Sequence, residues 1–149
     1  MTEETRAALE HALRHLKTSD RYEAEVRQRL SKYPATVVEE VIATLKAKRM
    51  IDDVRTTEYA VEANSGRRAV GAHLLREKLE RRGAPEDVVT AVASFSGEEE
   101  SAKADGLLAA KFPTRNPEDR AKAGRFLFGR GFDEEIVESR LTKYFGDVE

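Results

Sequence analysis

The stretch Gly131-Phe132-Asp133-Glu134-Glu135-Ile136-Val137-Glu138-Ser139-Arg140-Leu141 decides the fold, because its pattern occurs twice earlier in the chain. Phe132 is followed four positions later by Ile136-Val137, Ala84 by Val88-Val89, and Tyr33 by Val37-Val38. The copies stand about fifty residues apart. A period of that length marks a small supersecondary unit stacked in tandem, since one such unit cannot bury its apolar face alone.

Working outward from each copy, the apolar positions step on at helical spacing. They are Val37, Val38, Val41, Ile42 and Leu45; then Val88, Val89, Val92 and Ala93; then Ile136, Val137, Leu141 and Tyr144. That spacing paints one broad helix face and excludes a strand's alternation. A second amphipathic segment precedes each copy, at Arg21 to Lys32, Arg68 to Arg82 and Glu118 to Arg130. Leu79 and Leu127 are its core residues in the second and third units. Asp20 with Glu23 reads as a capping box, and Asn116-Pro117-Glu118-Asp119 as a cap with proline in the first turn. Gly83 and Gly131 fall where a left-handed residue ends a helix. A third helix comes first in every unit, at roughly Glu4 to Lys17, Asp53 to Ala63 and Glu98 to Phe112.

The expected fold is therefore all-α. Three tandem three-helix repeats, at residues 1–50, 51–96 and 97–149, stack into an elongated, curved body. The composition agrees: of 149 residues, 36% are charged and only 7% aromatic, a profile of amphipathic helices poor in strand formers. With no cysteine, neither disulfides nor a thiolate zinc cluster can hold the fold. No apolar run reaches the ~20 residues a membrane span requires, and the polar start Thr2-Glu3-Glu4-Thr5-Arg6 is unlike a signal peptide. A soluble, cytoplasmic monomer is expected. The net charge of −2 argues against coating nucleic acid by bulk charge, although residues 1–50 carry ten basic and eight acidic side chains.

Three stretches stand out in order and spacing: Met50-Ile51-Asp52-Asp53; Gly66-Arg67-Arg68 with Leu74-Leu75-Arg76-Glu77-Lys78-Leu79-Glu80-Arg81-Arg82-Gly83-Ala84; and Lys122-Ala123-Gly124-Arg125-Phe126-Leu127 with Arg130-Gly131-Phe132-Asp133-Glu134-Glu135-Ile136-Val137. In these the chain resembles the family of the regulatory protein RecX, which modulates the recombinase RecA. The register holds from about residue 9 to 145. The resemblance implies tandem three-helix repeats and a partner, the RecA filament, contacted together with its single-stranded DNA. It further implies inhibition of the recombinase, co-protease and ATPase activities. The first repeat departs from the pattern: Leu30 lies three residues before Tyr33, whereas Leu79 and Leu127 lie five before their equivalents, and the turn glycine is missing. A shortened middle helix is expected there.

Candidate partner-binding residues are Arg67, Arg68, Arg76, Arg81 and Arg82 in the second repeat, with Lys122, Arg125 and Arg130 in the third. Guanidinium groups form bidentate bonds to carboxylate and phosphate, so an exposed cluster suits an acidic protein patch or a DNA backbone. The plain alternative is a solvated helix edge, with Glu77 and Glu80 interspersed and Arg130 complementing a helix dipole. Arg76 is expected to be the most exposed. Asp52 and Asp53 read as helix caps, not as a metal pair, because no further oxygen ligands stand at a recognised spacing. His11 and His15 share a helix face, but Glu10 is on the wrong side for a zinc-hydrolase motif. No nucleophile elbow or phosphate loop is present, so neither catalysis nor a cofactor is expected. A helical module binding DNA without the recombinase is the rival reading, and a repeat adaptor for an unrelated partner is a third.

Overall fold

The structure is a computed structural model, and it describes residues 1–146. Those residues form nine α-helices and no strand. They run α1 (Glu3–Thr18), α2 (Glu23–Arg29), α3 (Ala35–Ala47), α4 (Asp53–Ala63), α5 (Ala72–Arg82), α6 (Glu86–Val92), α7 (Gly97–Lys111), α8 (Arg120–Gly129) and α9 (Glu134–Phe145). Short 3-10 turns at Gly66–Arg68 and Pro117–Asp119 precede α5 and α8. The all-α expectation holds, and the signature valines and isoleucine open α3, α6 and α9 as the spacing required.

Two local expectations change, and one holds. The middle segment between Arg21 and Lys32, expected to be shortened, is only the seven residues of α2. The chain leaves it through turns closed by Ser31 N–H on the Gln28 carbonyl and Tyr33 N–H on the Leu30 carbonyl, because Pro34 disfavours helix in the residue before it. The capping box of Asp20 with Glu23 does not form, and only its reciprocal half appears, two residues on. Tyr22 is the N-cap and its backbone N–H donates to Glu25 Oε1 at 2.8 Å, because this register sinks the Tyr22 ring to 0% exposure. Finally, the segment from Arg68 is broken at 69–71, so Arg67 and Arg68 stand on a 3-10 turn and α5 begins at Ala72.

Contacts gather the chain into two compact units. Unit 1 comprises Met1–Tyr59 and Leu79–Val92; unit 2 comprises Ala60–Lys78 and the chain from Ala93 onward. The core of unit 1 joins Ala8 and Ala12 of α1, Val26 of α2, Leu30, the apolar face of α3 from Val37 to Leu45, and Ile51. The core of unit 2 joins Ala104, Leu107 and Leu108 of α7, Ala123 and Leu127 of α8, and Val137 and Leu141 of α9, with Ala69, Phe112 and Phe132. Leu79 is 1% exposed and Leu127 0%, so both are core as expected.

Each unit contains one junction built on the same plan. In unit 1, the start of α2 meets the start of α4 and the end of α5. Asp53 Oδ1 accepts the Glu23 backbone N–H at 2.9 Å, so α4 caps α2. Gly83, at φ +97°, ends α5 so close to α2 that an added methyl would lie 2.6 Å from Ala24 Cβ. In unit 2, the start of α5 meets the start of α7 and the end of α8. Glu100 Oε1 accepts the Ala72 N–H at 2.6 Å, and Gly131, at φ +87°, lies where a methyl would be 2.3 Å from Leu74 Cβ. Helix N-termini carry unsatisfied N–H groups and favour carboxylates, which is why an acid recurs at both junctions.

Candidate partner-binding surface

The eight candidate basic residues separate into clamps and exposed groups. Arg82, the last residue of α5, is a clamp within unit 1. Its Nη2 donates to Glu25 Oε1 at 3.0 Å and to the Asp20 carbonyl at 3.2 Å, and the guanidinium stacks 4.9 Å from the Tyr22 ring centre. Tyr22 is held in turn, its hydroxyl sharing a 2.8 Å hydrogen bond with Thr57. Arg130, at the end of α8, is the corresponding clamp of unit 2. Its Nη1 donates to the carbonyls of Ala69 at 2.9 Å and Arg67 at 3.2 Å, while the guanidinium stacks on Phe126. Both arginines immediately precede a left-handed glycine.

Arg67, Arg68, Lys122 and Arg125, all in unit 2, are exposed, and their side chains have no carboxylate partner among the described residues. Arg81 is exposed in unit 1, whereas Arg76 is only partly exposed, contrary to its expected prominence.

Sequence reasoning missed a groove of unit 2 along α7. Two adjoining cavities of about 260 and 500 Å³ share Arg67 and Ala110 in their walls. Ala102, Gly106 and Ala110 leave the floor low, and Lys103, Lys111, Arg67 and Arg130 stand around it. No carboxylate lines either cavity. Lys111 lies 4.4 Å from the Phe126 ring centre, opposite in role to Arg130 on the same ring. Lys103 is otherwise engaged, pairing with Glu100 and donating to the Val70 carbonyl at 3.0 Å. The legible signal was small and basic residues at helical spacing in Ala102-Lys103, Gly106 and Ala110-Lys111.

The remaining polar candidates are structural. Asp52 accepts the Arg55 N–H at 3.1 Å and caps α4, as expected. Asp53 instead faces α2, and burial, ahead of its other influences, holds its carboxyl above the ordinary range. Asp20, no longer a cap, accepts from Arg55 Nε at 3.1 Å and Thr56 Oγ1 at 2.7 Å. Burial pushes its carboxyl up, but those hydrogen bonds outweigh it and the group titrates below its usual range. His11 and His15 are held below the ordinary imidazole range, first by burial and then by neighbouring cations. No group of three or more His, Cys, Asp or Glu among the described residues is placed to hold a metal ion. None of their helices is long and apolar enough to cross a membrane.

Comparison with known proteins gives one consistent result. No protein-family profile matches the chain. A protein named regulatory protein RecX from Chlorobium limicola is 30% identical over 141 residues, spanning 93% of this chain and 89% of that one. The protein of the same name from Thermus thermophilus is 35% identical over 126 residues, with 84% and 83% covered. Among solved structures, RecX from Lactobacillus salivarius superposes with a TM-score of 0.79 over 97% of this chain and 98% of that one, at 17% identity. A second crystal structure of a regulatory protein RecX gives 0.69 over 92% and 72%, at 23% identity. Those two likenesses bear on the fold.

Proposed function

The chain belongs to the RecX family of regulatory proteins, and from that premise we propose that it binds the RecA filament on single-stranded DNA and inhibits its recombinase, co-protease and ATPase activities. The observation that supports a binding role, beyond the family, is the set of exposed cations on unit 2. Arg67, Arg68, Lys122 and Arg125 lack carboxylate partners among the described residues. Buried or clamped arginines hold a fold together; exposed unpaired ones remain available to an acidic protein surface or to phosphate. Arg82 and Arg130 are engaged within the fold, so the proposal rests first on the four exposed groups.

In this reading the chain is organised as three three-helix repeats, with breaks near residues 51 and 97. The two junctions support the division, because each joins the middle helix of one repeat to the first and middle helices of the next. Binding then accrues over many contacts along the repeats, and no single pocket performs chemistry. The protein works in the cytoplasm as a monomer.

Co-sedimentation with recombinase filaments on single-stranded DNA tests the proposal. The protein should pellet with filaments and not with bare DNA at moderate salt. Equal pelleting with bare DNA, with a steep salt dependence, would make it a DNA-binding module that needs no recombinase.

A further inference from the structure

We infer that the groove along α7 is a docking site for a short, extended acidic segment of a partner protein. The groove combines a low floor with a one-signed rim. Ala102, Gly106 and Ala110 admit a peptide backbone or a small side chain close to the helix. A Cβ added at Gly106 would meet nothing within 4 Å, so that part of the floor is open. Arg67 and Lys111 flank the floor with no carboxylate partner among the described residues. The two cavities together fall in the size range of sites that bury several residues of a ligand. Recognition of acidic motifs by clustered cations follows the same chemistry.

The surroundings favour a peptide over a nucleic-acid strand. A strand needs free aromatic faces for its bases and carries charge at every nucleotide. Phe126, the aromatic side chain lining the groove, already has Lys111 and Arg130 on its ring. Glu98 and Glu99 stand exposed in the first turn of the same helix, where a continuing phosphate backbone would be repelled. A short acidic segment concentrates its charge on the rim cations. This inference shares Arg67 with the proposed filament surface, but its test contains no recombinase, so the two readings can fail separately.

Fluorescence anisotropy with a labelled peptide alternating Glu and Ala, titrated with the full chain at low ionic strength, is the direct experiment. Saturable binding is expected, with Arg67→Glu and Lys111→Glu each weakening it about tenfold, the effect of removing roughly one charge-assisted contact. Gly106→Leu fills the floor and should abolish binding while circular dichroism and the thermal midpoint show the fold retained. The proposal is overturned by an absence of saturable binding in the folded protein. It is equally overturned if binding persists in the Arg67→Glu, Lys111→Glu double variant, or if a labelled oligothymidylate of equal length binds more tightly and loses affinity in the same variants. That last outcome would assign the groove to nucleic acid.

Discussion

The two junctions follow one plan but close with different chemistry. The first, in unit 1, closes on charge: Arg82 meets the Glu25 carboxylate, Arg55 grips Asp20 with bonds of 3.1 and 3.0 Å, and Tyr22 fills the space between. The second, in unit 2, closes on backbone. The Gly71 N–H donates to the Arg130 carbonyl at 2.6 Å, and a methyl on Gly71 would lie 2.3 Å from the Gly131 carbonyl oxygen. Where side chains fill a junction, it depends on ionisation and tolerates small shifts. Where two glycines bring backbones together, close approach adds to the Glu100 cap, and there is little room to adjust.

The largest effect should therefore come from a methyl at the second junction. Gly131→Ala forces a left-handed residue and a clash with the Leu74 backbone nitrogen at 2.8 Å, and should cost about 3 kcal/mol or more in urea unfolding. Gly83→Ala adds left-handed strain and a clash with one Cβ at 2.6 Å, with its next neighbour at 4.0 Å, and should cost less, about 2–3 kcal/mol. If the two losses were equal, the distinction between the junctions would fail. Leu127→Ala and Leu79→Ala, which test the cores beside the junctions, should each lose about 2–5 kcal/mol.

Next comes the contrast between the clamps. Arg82→Ala leaves Glu25 without its ion pair and should cost roughly 1–3 kcal/mol, shrinking as salt is added because the site is partly solvated. Arg130→Ala removes bonds to neutral carbonyls, so its cost should change little with salt. Thermal midpoints of both variants across a salt series decide the point.

The smallest effects concern protons. Asp20 titrates below its usual range when folded, so its stabilisation is present above the unfolded value of about 3.9 and is lost as pH falls through the folded one. Asp20→Asn should remove that part of the acid sensitivity. Asp53 has the opposite sign: its raised folded value makes its contribution greatest at low pH and smaller as pH rises through that value. Asp53→Asn keeps an oxygen for the Glu23 N–H, so its loss relative to wild type should grow as pH falls. Urea denaturation followed from about pH 6 down to about pH 2 measures both, since Asp53 acts above the ordinary carboxylate range and Asp20 below it.

Much of this architecture was legible in the sequence because helices announce themselves locally. The periodic faces from Val37, Val88 and Ile136, the core leucines Leu79 and Leu127, and the glycines at 83 and 131 all follow from spacing and backbone conformation. The short α2 was also legible, from the misplaced Leu30 and the missing glycine. Its end carries no Arg-Gly clamp, and among the described residues it has no earlier middle helix to meet. The junction caps were not legible. Asp53 serves an N–H thirty residues away and Glu100 one twenty-eight away, and no local pattern records such a pairing. The candidate surface was half legible: arginine at a helix end reads the same in sequence whether solvated, like Arg125, or folded back on carbonyls, like Arg130. Lys103 and Lys111 escaped notice because a helix placed only by its bounds, Glu98 to Phe112, says nothing of which basic residues share a face.

The central claim is that this RecX-family chain restrains a recombinase filament through exposed cations of unit 2. Filament ATP hydrolysis on single-stranded DNA, titrated with wild type and with the Arg68→Glu, Arg125→Glu double variant, tests it most directly. Hydrolysis should fall with added wild type and stay substantially higher with the double variant, whose helical content is unchanged. Undiminished hydrolysis with wild type, or equal inhibition by both proteins, would contradict the account.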